Sequence, residues 1–234
     1  MNAPLPMVLI PGLRCSARLY APQLAQLWQF GPVMVSNHTG ADTLPAIADD
    51  ILTTAPPRFA LIALSMGGYI AFEILRRAPE RVVKLALLDT SARADTPEQA
   101  QRRQQQIALT EAGRYEDTVT AQFALVVHHS RRTDAELWQT YRLMARETGP
   151  EVFLRHQRAV SRRVDSRPDL ARIKVPTMVL VGDADELTPP SHAQEIAAGI
   201  DAARLVVVAD CGHLSTLERP DAVTAALVDL ITTR

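Results

Sequence analysis

The segment Ala63-Leu64-Ser65-Met66-Gly67-Gly68 carries the strongest chemical signature in the chain. An apolar run, Phe59–Leu64, leads straight into Ser65, and a stretch with helical spacing follows at once. A serine at such a strand-to-helix junction sits on a sharp turn that lifts its hydroxyl into a cleft. It also sits at a helix N-terminus, where free N–H groups favour developing negative charge. Small residues two before and two after the serine keep the turn free of clashes, and Ala63 and Gly67 fill those places. The chemistry this arrangement suits is nucleophilic attack by the serine hydroxyl. A glycine-rich turn with an incidental serine would read alike. A phosphate-binding loop would not, because no Gly-Lys-Ser/Thr follows.

Other residues with suitable chemistry lie far off in sequence. Gly182-Asp183-Ala184-Asp185 follows the apolar run Met178–Val181, and Cys211-Gly212-His213 follows Leu205–Val208. Either aspartate also reads as an ordinary turn residue. Asp89 stands at the end of another run, Leu85–Leu88. His38, His128, His129, His156 and His192 read as loop or cap residues. No HExxH or comparable metal-ligand spacing occurs.

These loops need a frame. The short apolar runs Met7–Ile10, Val33–Val35, Phe59–Leu64, Leu85–Leu88, Met178–Val181 and Leu205–Val208 lack alternation, which suits strands buried on both faces. Helical segments separate most of them, which implies an α/β fold with a parallel sheet covered on both sides. After Ser65 the stripe is Ile70, Ala71, Ile74, Leu75 and Ala78, stopped by Pro79. After Pro220 it is Val223, Leu227, Leu230 and Ile231. Between Leu88 and Val175 only helix starts are visible. Thr96-Pro97-Glu98-Gln99 and Thr133-Asp134-Ala135-Glu136 read as capping boxes, Gly149-Pro150 as a third start, and a further helix covers Tyr115 to His128. Residues 92–170 therefore read as an all-helical cap inserted into a core made of 1–91 and 171–234. It lies over the carboxyl edge of the sheet, where open α/β sheets bind ligands.

This pattern resembles the α/β-hydrolase superfamily, and within it the small esterase-like members with helical caps, over nearly the whole chain. The family elbow is usually G-x-S-x-G; Ala63 replaces the first glycine here. The resemblance implies an α/β-hydrolase fold with Ser65 as nucleophile, His213 as general base and Asp185 as orienting acid, with Asp183 its competitor. Some relatives keep the acid at the position of Asp89. Glu218-Arg219-Pro220, opening the last helix, also resembles the family. The backbone N–H groups of Leu13 and Met66 are the implied oxyanion hole, with Pro-Gly at 11–12 where relatives often have His-Gly. Gly12, Arg14, Cys15 and Leu214 are expected to line the cleft, joined by Phe123 and Val126 from the cap. Leu125, Trp138, Leu143 and Phe153 are further cap candidates. The implied activity is cleavage of a carboxylic ester with a small or medium apolar acyl group, without metal or organic cofactor. Relatives on the same triad act as lactonases, thioesterases, C–C hydrolases or cofactor-free haloperoxidases. A ligand receptor on a hydrolase scaffold is the reading outside enzymology.

Composition restrains the rest. The chain has 234 residues, 47% hydrophobic and 22% charged, which is enough for one cored domain with an inserted subdomain. A net charge of -1 offers no general attraction to nucleic acid or anionic membrane. Two distant cysteines, Cys15 and Cys211, form no CxxC pair and read as free thiols in a reducing compartment. No leader-like or membrane-spanning stretch is read, so a cytoplasmic location is expected. Arg155, Arg158 and Arg162 share a helical face, read as solvated. The sharper reading is a dock for an anionic substrate or an acidic carrier protein.

Overall fold

A computed structural model describes residues 4–233. Six strands form one sheet: β1 (Met7–Ile10), β2 (Val33–Val35), β3 (Phe59–Leu64), β4 (Val82–Leu88), β5 (Thr177–Gly182) and β6 (Arg204–Val208). Their order is β2-β1-β3-β4-β5-β6, and every described pairing is parallel. All six expected runs are strands. The architecture is the parallel sheet with helices on both faces that the apolar runs imply. The chain reverses direction along the sheet after β2, between β1 and β3, and all strands point their carboxyl ends to one edge.

The period of two sorts side chains between two cores. Met7 and Leu9 enter one cluster with Ala60, Ile62 and Leu64. Val8 and Ile10 enter the other with Phe59, Leu61 and Ala63. Helices α2 (Leu44–Thr54), α3 (Met66–Arg77) and α7 (Pro190–Gly199) contribute to the second, and α1 (Ala21–Leu27) and α8 (Pro220–Thr232) to the first. Both faces of β1 and β3 are thus apolar, so neither strand alternates in sequence. Two expectations need correction here. β2 is only half-buried, and β6 runs from exposed to buried with Val207 49% exposed. Both are edge strands, where helices cover less of the surface, and an apolar run alone does not distinguish an edge from a centre.

Between β4 and β5 lie α4 (Pro97–Glu111), α5 (Tyr115–Val126) and α6 (Ala135–Ser161). Thr96 and Gln99 exchange the expected capping-box bonds. The cap of α6 differs from expectation by one residue. Asp134, not Thr133, is the N-cap, because its carboxylate accepts from both Glu136 and Leu137 N–H. α5 stops at Val126, short of His128, where Glu218 takes the His128 N–H at 2.7 Å. α6 kinks at Gly149 (φ 76°), and Pro150 opens its second half. Among the described residues no helix is long and apolar enough to cross a membrane.

One of the tight seats in the fold lies under α3. A Cβ at Gly67 would stand 2.2 Å from the Ile10 carbonyl oxygen of β1. Gly67→Ala must therefore push α3 off the sheet. The expected loss is about 3 kcal/mol, or roughly 5–10 °C in Tm for a chain of this size. A thermal melt within a degree or two of wild type would show that the helix is not seated this way.

Candidate active site

Ser65 stands between the end of β3 and the start of α3 with φ 55° and ψ -116°. Few side-chain-bearing residues tolerate this conformation, and it costs of order 1–3 kcal/mol unless the surroundings impose it. They do. The Ser65 N–H donates to the Leu88 carbonyl at 2.9 Å, and the Ser65 carbonyl accepts from the Thr90 hydroxyl at 2.7 Å. Arg14 (φ 64°) and Asp89 (φ 45°) follow β1 and β4, so positive φ recurs beside Ser65 at the same edge.

Three loops meet at that serine. The Ser65 hydroxyl oxygen lies 2.8 Å from His213 Nε2, and His213 Nδ1 lies 2.8 Å from Asp185 Oδ2. Asp185 also accepts from the N–H groups of Leu187 and Thr188 and from the Thr188 hydroxyl. With that carboxylate on Nδ1, the imidazole proton belongs on Nδ1 and Nε2 is free to accept from Ser65. The histidine loop is held from the intervening helices. Both His213 and Leu214 N–H donate to the Val126 carbonyl at the end of α5. Glu218 accepts from Gly212 N–H and His128 N–H, one on each side of that contact. A Cβ at Gly212 would stand 2.5 Å from the His128 nitrogen, so the approach requires glycine.

The other two aspartates have different partners. Asp183 accepts from the Cys211 N–H at 3.0 Å and closes the turn. Asp89 is wholly buried, accepts from Gly182 N–H at 3.0 Å and pairs with the Ser215 hydroxyl. Burial, then the charge of Asp185, pushes the Asp89 carboxyl up to about 8. For Asp185, burial works upward, but His213 and the Thr188 donors outweigh it and hold the carboxyl below its usual range. Burial works to lower His213, and the charge and hydrogen bond of Asp185 outweigh it, so the imidazole is held above its usual 6.5.

The loop after β1 faces the same point. Met66 opens α3, so its N–H is one of the unpaired donors of that helix. The Gly12–Leu13 peptide is pinned through its carbonyl, which accepts from Cys15 N–H at 3.1 Å and from His38 Nε2 at 3.2 Å. His38 stacks on His156 at 4.7 Å, and His156 Nε2 donates to the His38 carbonyl. Burial lowers both imidazoles, to about 4 and about 3. Sequence reading passed over this pair. Nothing local marks it, because Gly12, His38 and His156 come from three separate segments.

A cavity of about 170 Å³ opens over Ser65. Gly12, Cys15, Val126 and Leu214, the cleft candidates of the sequence, line it, together with Leu13, Met66 and His213. Arg14 and Phe123 do not, which corrects two expectations. Arg14 turns away from the cavity and is wholly buried, bonding the Thr118 carbonyl and hydroxyl and lying 3.7 Å from the Phe153 ring centroid. Its left-handed backbone redirects the side chain. Phe123 packs edge-on against Trp138 at 5.0 Å, inside the core of the inserted helices. Of the further cap candidates Leu125 lines the cavity, whereas Trp138, Leu143 and Phe153 do not. Tyr69, Tyr141 and Leu187 line it without having been expected, as do Arg102, Arg103 and Arg163. Burial pushes the Cys15 thiol up to about 12, so it is not a ready thiolate. Arg155 bonds the Thr39 carbonyl and Arg158 pairs loosely with Glu111. Among the described residues, no three metal-ligating side chains cluster to hold an ion.

This fold has known counterparts. The alpha/beta hydrolase fold family matches residues 36–220, and the chain belongs to that family. It is similar to BpoC of Mycobacterium tuberculosis, named for non-heme bromoperoxidase activity, at 28% identity over 82% of this chain and 76% of that one. A thermophilic esterase from Thermogutta terrifontis, with malate bound, superposes with a TM-score of 0.87 at 28% identity, over 96% of this chain and 88% of that one. The enol-lactonase from Burkholderia xenovorans LB400 superposes with a TM-score of 0.86 at 25% identity, over 99% and 93% of the two chains.

The buried histidine pair predicts an acid response. An imidazole whose folded value is depressed stays neutral while the unfolded chain takes up protons below about 6.5, so stability is lost as pH falls. Near pH 5.5 the pair costs about 3 kcal/mol relative to free imidazoles, roughly 5–10 °C in Tm. Wild type should lose Tm faster than His156→Gln between pH 7 and 5.5. Parallel curves would remove His156 from the acid response.

Proposed function

We propose that the chain is a serine hydrolase that cleaves a carboxylic ester through an acyl-enzyme. The observation that carries the reading is the continuous relay from the Ser65 hydroxyl through His213 to Asp185, at 2.8 Å for each step. The esterase and the lactonase among its structural relatives support the same class of chemistry.

In this reading Ser65 donates its proton to His213 Nε2 as its oxygen attacks the ester carbonyl. Asp185 keeps the Nδ1–H tautomer in place and offsets the positive charge that forms on the ring. The N–H groups of Leu13 and Met66 hold the tetrahedral oxyanion, and the His38 bond to the Gly12 carbonyl keeps the Leu13 peptide from rotating. His213 then protonates the leaving alcohol. Water then loses a proton to the same ring as its oxygen bonds to the acyl carbon, and the ring returns that proton to the Ser65 oxygen as the acyl–Ser65 bond breaks and the acid leaves. Residues 92–170 act as a cap that shapes the acyl site. Asp183 serves the turn, and Asp89 supports the loop that carries Ser215.

Three outcomes test this. A fluorophosphonate should label Ser65 rapidly, and Ser65→Ala should lose both labelling and ester turnover by about 10⁴-fold or more. No labelling and no turnover of short p-nitrophenyl esters would favour a receptor on this scaffold. Asp185→Asn should harm kcat far more than Asp183→Asn, and the reverse ranking would reassign the acid. A protonated imidazole cannot accept from serine, and His213 is held above its usual 6.5. The fall of kcat/KM on acidification should therefore centre above 6.5, and a profile flat into acid would exclude His213 as base.

A further inference from the structure

The lining of the cavity over Ser65 is of two kinds. Leu64, Leu125, Val126, Leu187 and Leu214 are apolar. Gln99, Arg102, Arg103 and Gln106 of α4, with Gln122 and Arg163, are polar. An acyl site for a purely apolar substrate would not place three guanidinium groups on its wall, because each must be desolvated when such a substrate packs against it.

The positive charge on this wall is only partly balanced. Arg103 donates through Nε and Nη2 to Asp95, and through Nη1 to Gln157. Arg163 also donates to Asp95, and its guanidinium lies 4.5 Å from the Tyr69 ring centroid. Two cations thus share one carboxylate. Burial works to raise Asp95, but Arg103 and Arg163 outweigh it, so it stays ionised and cancels one charge of the two. Arg102 is exposed at the cavity and makes no ion pair within 4.0 Å among the described residues, although the exposed Glu98 one turn away feels its charge. Glu186, the acid on the cavity rim, is already taken by Arg132 at 2.7 Å. A surplus of positive charge therefore faces the substrate, flanked by glutamine amides able to donate further hydrogen bonds.

We infer that the substrate carries an ionised carboxylate away from its scissile ester, and that Arg102 binds it while Arg103 and Arg163 supply the field behind. The substrate class is a half-ester, or the equivalent lactone, of a short dicarboxylic acid. This rests on the serine-hydrolase reading and narrows it. Such a group would be drawn to the arginines while the carbon chain packs on the leucines, which sets the ester carbonyl over Ser65 in one orientation. The net reaction is hydrolysis: the acyl C–O bond breaks, water oxygen bonds to the acyl carbon, the alcohol takes one proton, and the new acid loses the other to solvent. Arg102 is a specificity residue in this scheme and takes no part in the bond changes.

The test compares monomethyl esters of succinate, glutarate and adipate with the corresponding neutral dimethyl esters. Wild type should favour at least one half-ester by about tenfold or more in kcat/KM, and the preference should weaken with added salt. Arg102→Gln should reduce the half-ester to diester ratio about tenfold, chiefly through KM, and Arg102→Glu should invert the ranking. Arg102 is exposed and unpaired, so these changes leave the Asp95 network in place. Equal or better turnover of the diesters by wild type, or a ratio unmoved in both variants, would overturn the inference while leaving the esterase reading intact. Ser65 labelling with neither ester cleaved would overturn it as well. Failure of Ser65 to label, with no ester cleaved, would instead sink the serine-hydrolase reading beneath it.

Discussion

The strained backbone at Ser65 is the constraint on which the remaining geometry depends. The chain leaves β3 and enters α3 within one residue, and this is possible only because α3 lies almost on the backbone of β1. That contact fixes the direction in which the hydroxyl points. The Leu88 carbonyl and the Thr90 hydroxyl grip the Ser65 peptide on both sides, so β4 and its following loop also set the angle. The conformational cost is met by packing that the sheet would make in any case. A residue held this firmly needs little reorganisation to react, which is where a hydrolase gains most from a rigid frame.

Charge is arranged with the same economy. Asp89 and Asp185 lie close enough to oppose each other, and both are buried. Donors decide the contest. Asp185 collects two N–H groups, a threonine hydroxyl and the imidazole, whereas Asp89 has one N–H and one serine hydroxyl. The Asp89 carboxyl is pushed up and the Asp185 carboxyl held down, which favours the negative charge where it can support a histidine. The same principle separates Asp185 from Asp183, whose oxygen is occupied by the Cys211 N–H. Three aspartates at strand ends thus differ in role through their hydrogen-bond donors and not through their residue type.

Much of this was legible in sequence, and the limits are physical. The strand-to-helix serine, the apolar runs and the caps are local patterns, so they survive without coordinates. Six strand positions follow from short apolar runs, four of them central and buried on both faces, and two at the edges of the sheet where the cover is thinner. The inserted helices follow from capping residues, although a carboxylate beside a threonine displaced one cap by a residue. What sequence does not carry is the direction of a side chain after an unusual backbone. Arg14 has positive φ, and that alone takes it from the cleft to a buried site. Phe123 lies on α5 with apolar neighbours on several sides, and helical spacing cannot say which neighbour it meets. The His38–His156 stack and the arginine wall are assembled from segments far apart in the chain, and neither has a local signature.

Arg14 has one more consequence. Its guanidinium is enclosed by residues of α5 and α6, and it bonds a threonine there instead of a carboxylate. Its main chain belongs to the loop after β1. The hinge between loop and overlying helices is therefore occupied by a cation that finds its shelter only when they are together. An engineer who transplanted a different set of helices onto this core would leave that cation stranded in an apolar gap. The loop would then shift to return it to water, and Gly12 and Leu13 would move with it. The two parts are consequently not interchangeable modules, and any chimera has to redesign position 14 along with the graft.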